Sequence, residues 1–147
     1  MKPILCLAPV LVLCACSQIP RYAQPAPGKN AATLQGVEGT SIHTYTRRGC
    51  IATSLETGDK TVRVRPGEKL YVEYSHEMGS NAICHYLMSF VPEKGANYAL
   101  RTGQTNPQTG RRMLCSPMIV RLQPDGAELM VGANNEVPTV PPASCPR

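Results

Sequence analysis

Two histidines and a methionine that could bind a soft metal lie close together in the sequence. His76, Met78 and His85 supply imidazole and thioether donors, which suit copper. The competing interpretation is structural, because His76 begins a polar loop and the neighbouring Met88 falls within an apolar strand pattern. We favour the structural interpretation, and we expect no metal site and no cofactor.

The chain lacks the short motifs that mark common catalytic sites. No serine lies in a G-x-S-x-G sequence, and no phosphate-binding loop, HExxH motif or dinucleotide fingerprint is present. Asp59 and Asp125, which a nucleophilic triad would need, both lie in turn sequences, where Asp commonly binds its own backbone. The sequence therefore predicts a protein that is not an enzyme, and we assign no catalytic residue.

Six of the ten arginines form three close pairs, which could contact phosphates of lipids, wall polymers or an acidic partner. Solvated arginines that protect a sheet edge are the simpler interpretation. The formal net charge of +5 falls short of the dense basic stripe that nucleic-acid binding usually shows, so we expect no nucleic-acid partner. The pairs are Arg47 and Arg48, Arg63 and Arg65, and Arg111 and Arg112.

The beginning of the chain has the form of a signal sequence. Lys2 gives a positive start, and residues 4–16 are all apolar or small, with Pro9 as the only interruption. This run is too short for a transmembrane helix, which needs roughly 20 residues to cross the hydrocarbon core. The segment therefore predicts export, and a membrane anchor would have to come from another feature.

The sequence L-C-A-C at residues 13–16 resembles the lipobox of bacterial lipoproteins, in which an aliphatic, a tolerant and a small position precede an obligatory cysteine. The resemblance implies that residues 1–15 are removed as a signal peptide and that Cys16 carries diacylglycerol. At about 0.8 kcal/mol per buried CH₂, two or three acyl chains would hold the protein in a bilayer. Ser17 is not acidic, which resembles lipoproteins sorted to the bacterial outer membrane. The competing interpretation is an ordinary secretory signal with coincidental cysteines.

The lipidated residue is expected to begin a tether. Cys16 and residues 17–33 form a Pro-containing segment with almost no apolar periodicity. A linker of this composition would reach about 20 to 50 Å, depending on whether it behaves as a coil or as polyproline II. Residues 34–147 would then be the folded domain, which ends in a Pro-rich tail.

The seven cysteines fall into separate groups once the signal peptide is set apart. If Cys16 carries lipid, an even four remain in an oxidising compartment, which indicates two disulfides among Cys50, Cys84, Cys115 and Cys145. Metal binding is the alternative, but no C-x-x-C pair is present. Four cysteines allow three pairings, which the residues alone leave open. We favour Cys84 with Cys115, and Cys50 with Cys145 because the second bond would hold a tail that would otherwise fray.

Alternating hydrophobic residues and frequent turns predict an all-β domain. Fourteen prolines and twelve glycines interrupt long helical patterns, and Val62 and Val64 alternate with arginines as in a half-buried strand. Pro66-Gly67 would join this strand to the next as a hairpin. Pro117 argues for an edge or a bend, and residues 81–91, which are apolar on both faces, are expected to form a central strand. About seven short strands are expected in a small antiparallel β-sandwich, at residues 41–46, 61–65, 69–75, 81–91, 97–102, 113–122 and 127–131.

A second resemblance covers the middle third of the predicted domain. Cys84 and Cys115 flank the sequence F-V-P-E-K-G at residues 90–95, which Tyr98 follows. This pattern is similar to one found in small bacterial lipoproteins of unassigned role. The resemblance supports the pairing of Cys84 with Cys115 and a β-sandwich, and it implies no activity.

These features together predict a membrane-anchored, disulfide-stabilised module that binds or supports other components of the bacterial cell envelope. Its expected partners are the lipid bilayer, through acylated Cys16, and an envelope protein, with the domain facing the periplasm or the cell surface. Two alternatives stay open. One is an inhibitor or ligand-capture protein directed at a soluble hydrolase, and the other is a periplasmic metal-handling protein that uses His76, Met78 and His85.

Overall fold

The computed structural model describes residues 19–46, 49–77, 83–103 and 115–131, and within these ranges the chain forms nine strands and no helix. In this part of the chain, no helix is therefore long and apolar enough to cross a membrane. The strands are β1 (Ala32–Gln35), β2 (Thr40–Tyr45), β3 (Ile51–Glu56), β4 (Thr61–Val64), β5 (Leu70–Glu77), β6 (Ile83–Phe90), β7 (Asn97–Arg101), β8 (Met118–Leu122) and β9 (Glu128–Met130).

The strands form two sheets. The five-stranded sheet has the order β4-β1-β7-β8-β9, and the four-stranded sheet has the order β3-β2-β5-β6. Neighbouring strands are antiparallel in both sheets, except that β1 and β7 run parallel. This architecture confirms the expected all-β sandwich, in which antiparallel pairing dominates.

The two sheets face each other across one hydrophobic core. Val62 and Val64 on β4 point inward from the five-stranded sheet, and Val72 on β5 points inward from the four-stranded sheet. Phe90 and Tyr98 come from opposite sheets and meet edge to face, with ring centroids 4.8 Å apart. The alternating residues that predict the strands therefore supply the buried side of each sheet.

A disulfide bond joins the two sheets. Cys84 is fully buried on β6, and it is bonded to Cys115, which lies three residues before the start of β8 in the other sheet; their Cα atoms are 5.4 Å apart. This bond confirms the predicted pairing. Cys50 is also disulfide-bonded. Its predicted partner, Cys145, lies outside the described residues, so the second pairing stays a prediction.

The described residues form nine strands rather than the seven expected, because the sequence pattern misses β1 and β3. β1 has only four residues and lies at the end of the segment that was expected to be a tether. β3 has the sequence I-A-T-S-L-E, whose small and polar residues give almost no hydrophobic alternation. β1 pairs with β4 and β7, which are distant in the chain, and β3 pairs with its neighbour β2, so both strands depend on their pairing rather than on a strong local pattern.

The predicted hairpin across Pro66-Gly67 is wrong. β4 pairs with β1 in one sheet, whereas β5 pairs with β2 and β6 in the other. The turn therefore crosses between the sheets, and this arch directs the inward residues Val64 and Leu70 into the same core. Gly67 has a φ of 80°, which favours glycine, and its amide donates a hydrogen bond to the carbonyl of Pro92.

β6 and β8 also occupy different places in their sheets from those expected. β6 was expected to be central, but it lies at the edge of the four-stranded sheet, where outward-facing Ile83 is 65% exposed. An apolar sequence on both faces therefore does not set the number of neighbouring strands. β8 lies between β7 and β9 rather than at an edge. Pro117 precedes Met118, the first strand residue, so its missing N–H removes no hydrogen bond from the sheet.

The described N-terminal segment is bound to the domain instead of forming a free linker. Arg21 pairs in parallel with Ser54 on β3. The Tyr22 amide donates a hydrogen bond to the Ser54 carbonyl at 2.8 Å, and the Ser54 amide donates to the Pro20 carbonyl at 3.0 Å. Tyr22 is buried in the core, and its hydroxyl accepts a hydrogen bond from the amide of Arg65 at 3.0 Å.

The same segment continues onto the edge of the other sheet. The side-chain oxygen of Gln24 accepts a hydrogen bond from the Arg63 amide at 2.9 Å, and the Arg63 side chain donates to the Pro25 carbonyl at 2.7 Å. We call residues 20–25 the strap, because they lie along both β3 and β4. The segment predicted to be a tether is therefore part of the fold from Pro20 onward. Prolines favour extended backbone, which suits a sheet edge as well as a linker.

Candidate functional site

Glu73 lies between two histidines on the outer face of the four-stranded sheet. Its two carboxylate oxygens lie 2.8 Å from Nε2 of His43 and 2.7 Å from Nε2 of His85. His43 is on β2, Glu73 on β5 and His85 on β6, three strands that are neighbours in the sheet. Ile42 and Val72, which are directly paired, point inward, so the residues that follow them point outward.

The two histidines differ in their surroundings. His43 is 6% exposed, whereas the side chain of His85 is 56% exposed. Because a carboxylate only accepts hydrogen bonds, each histidine donates its Nε2–H to Glu73. Nδ1 of His43 is buried and has no hydrogen-bond partner among the described residues. Glu73 is therefore hydrogen-bonded to one buried histidine, His43, and to one solvent-exposed histidine, His85.

The hydrogen bonds of this cluster change the acidity of Glu73. Burial alone raises the pKa of this carboxyl group, but the hydrogen bond from His85 and the charge and hydrogen bond of His43 act in the opposite direction. The net result is a pKa for Glu73 below its usual value. Glu73 is therefore ionised at neutral pH, which makes its hydrogen bonds charge-assisted.

Two tyrosines extend the cluster along the same face. The rings of Tyr45 and Tyr71 meet edge to face with centroids 4.5 Å apart, and Nζ of Lys69 lies 5.5 Å from the Tyr71 ring centre. Burial raises the pKa of Tyr45, and the charge of Glu73 and the neighbouring Tyr71 raise it further. Tyr45 therefore stays protonated at neutral pH and can donate a hydrogen bond. We call His43, Tyr45, Tyr71, Glu73 and His85 together the His-Tyr face.

The His-Tyr face is suited to binding rather than to metal chemistry. Both histidine Nε2 atoms are directed at separate oxygens of Glu73. Among the described residues, no group of three or more His, Cys, Asp or Glu side chains could hold a metal ion. The face instead presents aromatic rings and hydrogen-bonding groups in fixed positions, a combination that is enriched at protein interfaces.

The two histidines that suggested a metal site are not brought together. His76 pairs with Cys84 across β5 and β6, whereas His85 pairs with Ser75, so the two histidines point to opposite faces of the sheet. His76 stacks against the ring of Tyr74, with centroids 6.2 Å apart. Met78 lies outside the described residues. Met88, in contrast, is buried in the core, as its place in an apolar strand predicts.

The described arginines of the predicted basic pairs contact the strap. Arg63 donates a hydrogen bond to the carbonyl of Pro25, and the guanidinium of Arg65 lies 5.8 Å from the ring centre of Tyr22. Arg65 also lies 3.7 Å from Glu68. This pair therefore makes contacts within the chain, and its contact with phosphates stays a prediction. The other arginine pairs, at residues 47–48 and 111–112, lie outside the described residues.

A second concave region lies on the five-stranded sheet, with a volume of about 500 Å³. Its polar side chains bind one another: the Thr33 hydroxyl donates to Oδ1 of Asn97 at 2.6 Å, and Arg121 lies 2.6 Å from Glu93. Groups that already satisfy each other would have to exchange these contacts for those of a ligand. This region is therefore a weaker candidate than the His-Tyr face.

Sequence reasoning did not single out His43 or Glu73 as a site. The available signal is weak: Glu73 alternates with Val72 and Tyr74, and His43 follows Ile42, which marks both as outward-facing. Their proximity depends on the register between β2 and β5, which joins positions 30 residues apart. No known protein family, curated protein or solved structure matches the chain.

Proposed function

We propose that this chain is a lipoprotein of the bacterial cell envelope, in which Cys16 carries lipid and the β-sandwich binds a partner protein through the His-Tyr face. The outer membrane is the proposed location, because Ser17 is not acidic. The lipobox-like sequence at residues 13–16 supports the anchor. A disulfide-linked β-domain is consistent with an exported protein, because such bonds persist in oxidising compartments.

The observation that carries the binding function is the fixed arrangement around Glu73. Its two hydrogen bonds restrain His43 and His85, and the contact between Tyr45 and Tyr71 restrains the aromatic rings. Side chains that are already ordered lose less conformational entropy when a partner binds. Tyrosine also combines a large contact area with a hydrogen-bonding hydroxyl, so the His-Tyr face is suited to a protein surface.

The anchor is tested by labelling cells with a radioactive or clickable fatty acid. The wild-type protein should incorporate the label and float with membranes, whereas Cys16→Ser should remain an unlabelled precursor. Continued labelling of Cys16→Ser would contradict the assignment of the lipidated residue. Labelling of neither protein would contradict the lipoprotein proposal itself.

The binding face is tested by photo-crosslinking in intact cells. A photoreactive phenylalanine at Tyr71 should give a discrete adduct with an envelope protein. The matched control is the same residue at Gln35, which is exposed on the five-stranded sheet. Equal adducts at both positions, or none at Tyr71, would contradict binding through this face. An adduct with a soluble hydrolase would instead support the alternative that the chain is an inhibitor or ligand-capture protein.

A further inference from the structure

The position of the strap determines how closely the domain is held to its anchor. This inference rests on the proposed lipidation of Cys16. Only three residues separate Cys16 from Pro20, whose carbonyl is hydrogen-bonded to β3. At about 3.5 Å per residue, the fully extended chain between these two positions spans roughly 14 Å. This distance is shorter than the reach expected for a free linker.

The direction of the strap selects one end of the sandwich. The strap runs parallel to β3, with Arg21 opposite Ser54, so the residues before Arg21 lead toward the start of β3 at Ile51. The same end contains the turn at Gly67 and the loop after β6, because β5 starts where β6 ends. We call this the Gly67 end, and we call the opposite end, which contains the turn between β3 and β4, the Gly58 end.

Exposed apolar side chains are present at the Gly67 end. Ile19 is 52% exposed, Ile51 37% and Val91 54%. Ile51 is at the start of β3 and Val91 follows β6, so these two residues lie near opposite edges of the four-stranded sheet. Three strand spacings separate those edges by about 14 Å. This width suits a broad apolar surface better than a small ligand.

Charge is also divided between the two ends among the described residues. The cations at or near the Gly67 end are Lys29, Arg65, Lys69, Lys94 and Arg121. Its acids are Glu68 and Glu93, which lie near Arg65 and Arg121 respectively, Asp125, which accepts a hydrogen bond from a turn amide, and Glu128, which is paired with Arg101. The Gly58 end carries Glu38, Glu56, Asp59 and Glu77 with Lys60 and Arg101. Cations therefore exceed acids only at the end toward which the strap leads.

We propose that the Gly67 end rests on the anionic surface of the bilayer that holds the anchor, with Ile51 and Val91 in the interfacial layer. The short connection to Cys16 brings this end to the headgroups. Its exposed apolar side chains can enter the boundary between headgroups and acyl chains, while its lysines lie near lipid phosphates. The His-Tyr face is then roughly perpendicular to the membrane plane, and the acidic Gly58 end points away from the bilayer.

Single tryptophans can report this orientation, because the natural chain contains none. The lipidated protein carrying Ile51→Trp or Val91→Trp is reconstituted into vesicles of phosphatidylethanolamine and phosphatidylglycerol with brominated acyl chains. Each emission should fall by about half or more relative to unbrominated vesicles, since an interfacial side chain reaches the acyl boundary. Ile83→Trp, at the exposed Gly58 end, is the matched control and should keep its emission. Circular dichroism shows whether each variant keeps the β-fold.

The charge contribution is tested in vesicles of zwitterionic lipid alone, where quenching at Val91→Trp should decrease. The same decrease is expected for Lys94→Glu combined with Val91→Trp in anionic vesicles. Equal quenching at Ile83→Trp and Val91→Trp, or no quenching at either, would overturn the orientation. A blue shift at Val91→Trp that depends on protein concentration and not on lipid would assign this end to a second copy of the chain.

Flotation separates the two proposals. If wild type floats with the vesicles and Cys16→Ser does not, but the quenching pattern is absent, the lipoprotein proposal stands and the orientation is wrong. If the wild-type protein is not lipidated when it is isolated, the lipoprotein proposal and the orientation that rests on it are both wrong.

Discussion

The two hydrogen bonds of Glu73 should differ in energy, because their histidines differ in burial. The side chain of His43 is 8% exposed, and a hydrogen bond to a charged group in such surroundings contributes about 1.5 to 3 kcal/mol. The side chain of His85 is 56% exposed, and an exposed pair contributes about 0.2 to 1 kcal/mol because solvent screens it. We therefore predict a larger coupling energy between Glu73 and His43 than between Glu73 and His85.

Two double-mutant cycles measure these couplings. The first cycle uses Glu73→Ala, His43→Ala and the double variant. The second cycle uses Glu73→Ala, His85→Ala and their double variant. Urea denaturation of the oxidised domain at pH 7 gives the free energy of unfolding of each variant, and the cycle removes the effects that each substitution has alone. A coupling to His85 that equals or exceeds the coupling to His43 would refute the reasoning from burial.

The lowered pKa of Glu73 also predicts how the stability of the domain depends on pH. The pKa of Glu73 is lower in the folded state than the value of about 4.3 expected for an unfolded glutamate. Its contribution to stability is therefore fully present above the unfolded pKa, and it is lost as the pH falls through the folded pKa. The difference in unfolding free energy between wild type and Glu73→Gln should be largest at pH 6 to 7 and should shrink below about pH 4.3. A difference that grows as the pH falls would contradict the lowered pKa of Glu73.

Three further predictions test the fold. The double substitution Cys84→Ala with Cys115→Ala opens a loop with a sequence separation of 31, so urea denaturation should show a loss of about 3.7 kcal/mol from chain entropy; a loss below about 1 kcal/mol would contradict this model. Gly39→Ala should cost more than Gly58→Ala in the same assay: both glycines have positive φ, but only at Gly39 would the added Cβ overlap a backbone oxygen of β5. Equal costs would show that the close approach is absent. Tyr22→Phe removes the acceptor for an amide of the β4 edge and should cost about 0.5 to 1.5 kcal/mol, with faster proteolysis near the strap; unchanged stability and proteolysis would argue against its docking.

The strand positions follow from local alternation, whereas the sheet to which each strand belongs does not. Val62, Val64 and Val72 are buried as their spacing predicts. The turn between β4 and β5 contains Pro66-Gly67, which is compatible with a hairpin and with an arch between two sheets. Only the distant partners of the two strands decide between these alternatives.

The candidate site could be predicted from local sequence patterns even less than the strand pairing. Alternation marks His43 and Glu73 as outward-facing, but outward positions are common and carry no information about their neighbours. The cluster forms because β2 and β6 both pair with β5 in particular registers. A shift of one residue would turn the side chains of a strand to the other face, so His43, Glu73 and His85 meet only in this pairing. His76 and His85, which sequence proximity grouped together, are separated by the same rule.

The strap has a consequence for self-association. β3 and β4 end their sheets on the same side of the sandwich, and each would otherwise offer backbone groups to a strand of another molecule. Pro20 accepts a hydrogen bond from β3 and has no N–H to offer in return, and Gln24 occupies the Arg63 amide on β4. One short segment therefore shields two sheet edges from intermolecular β-pairing. Proteolytic removal of the residues before Ala26 would uncover both edges at once and make the domain prone to strand exchange and polymerisation.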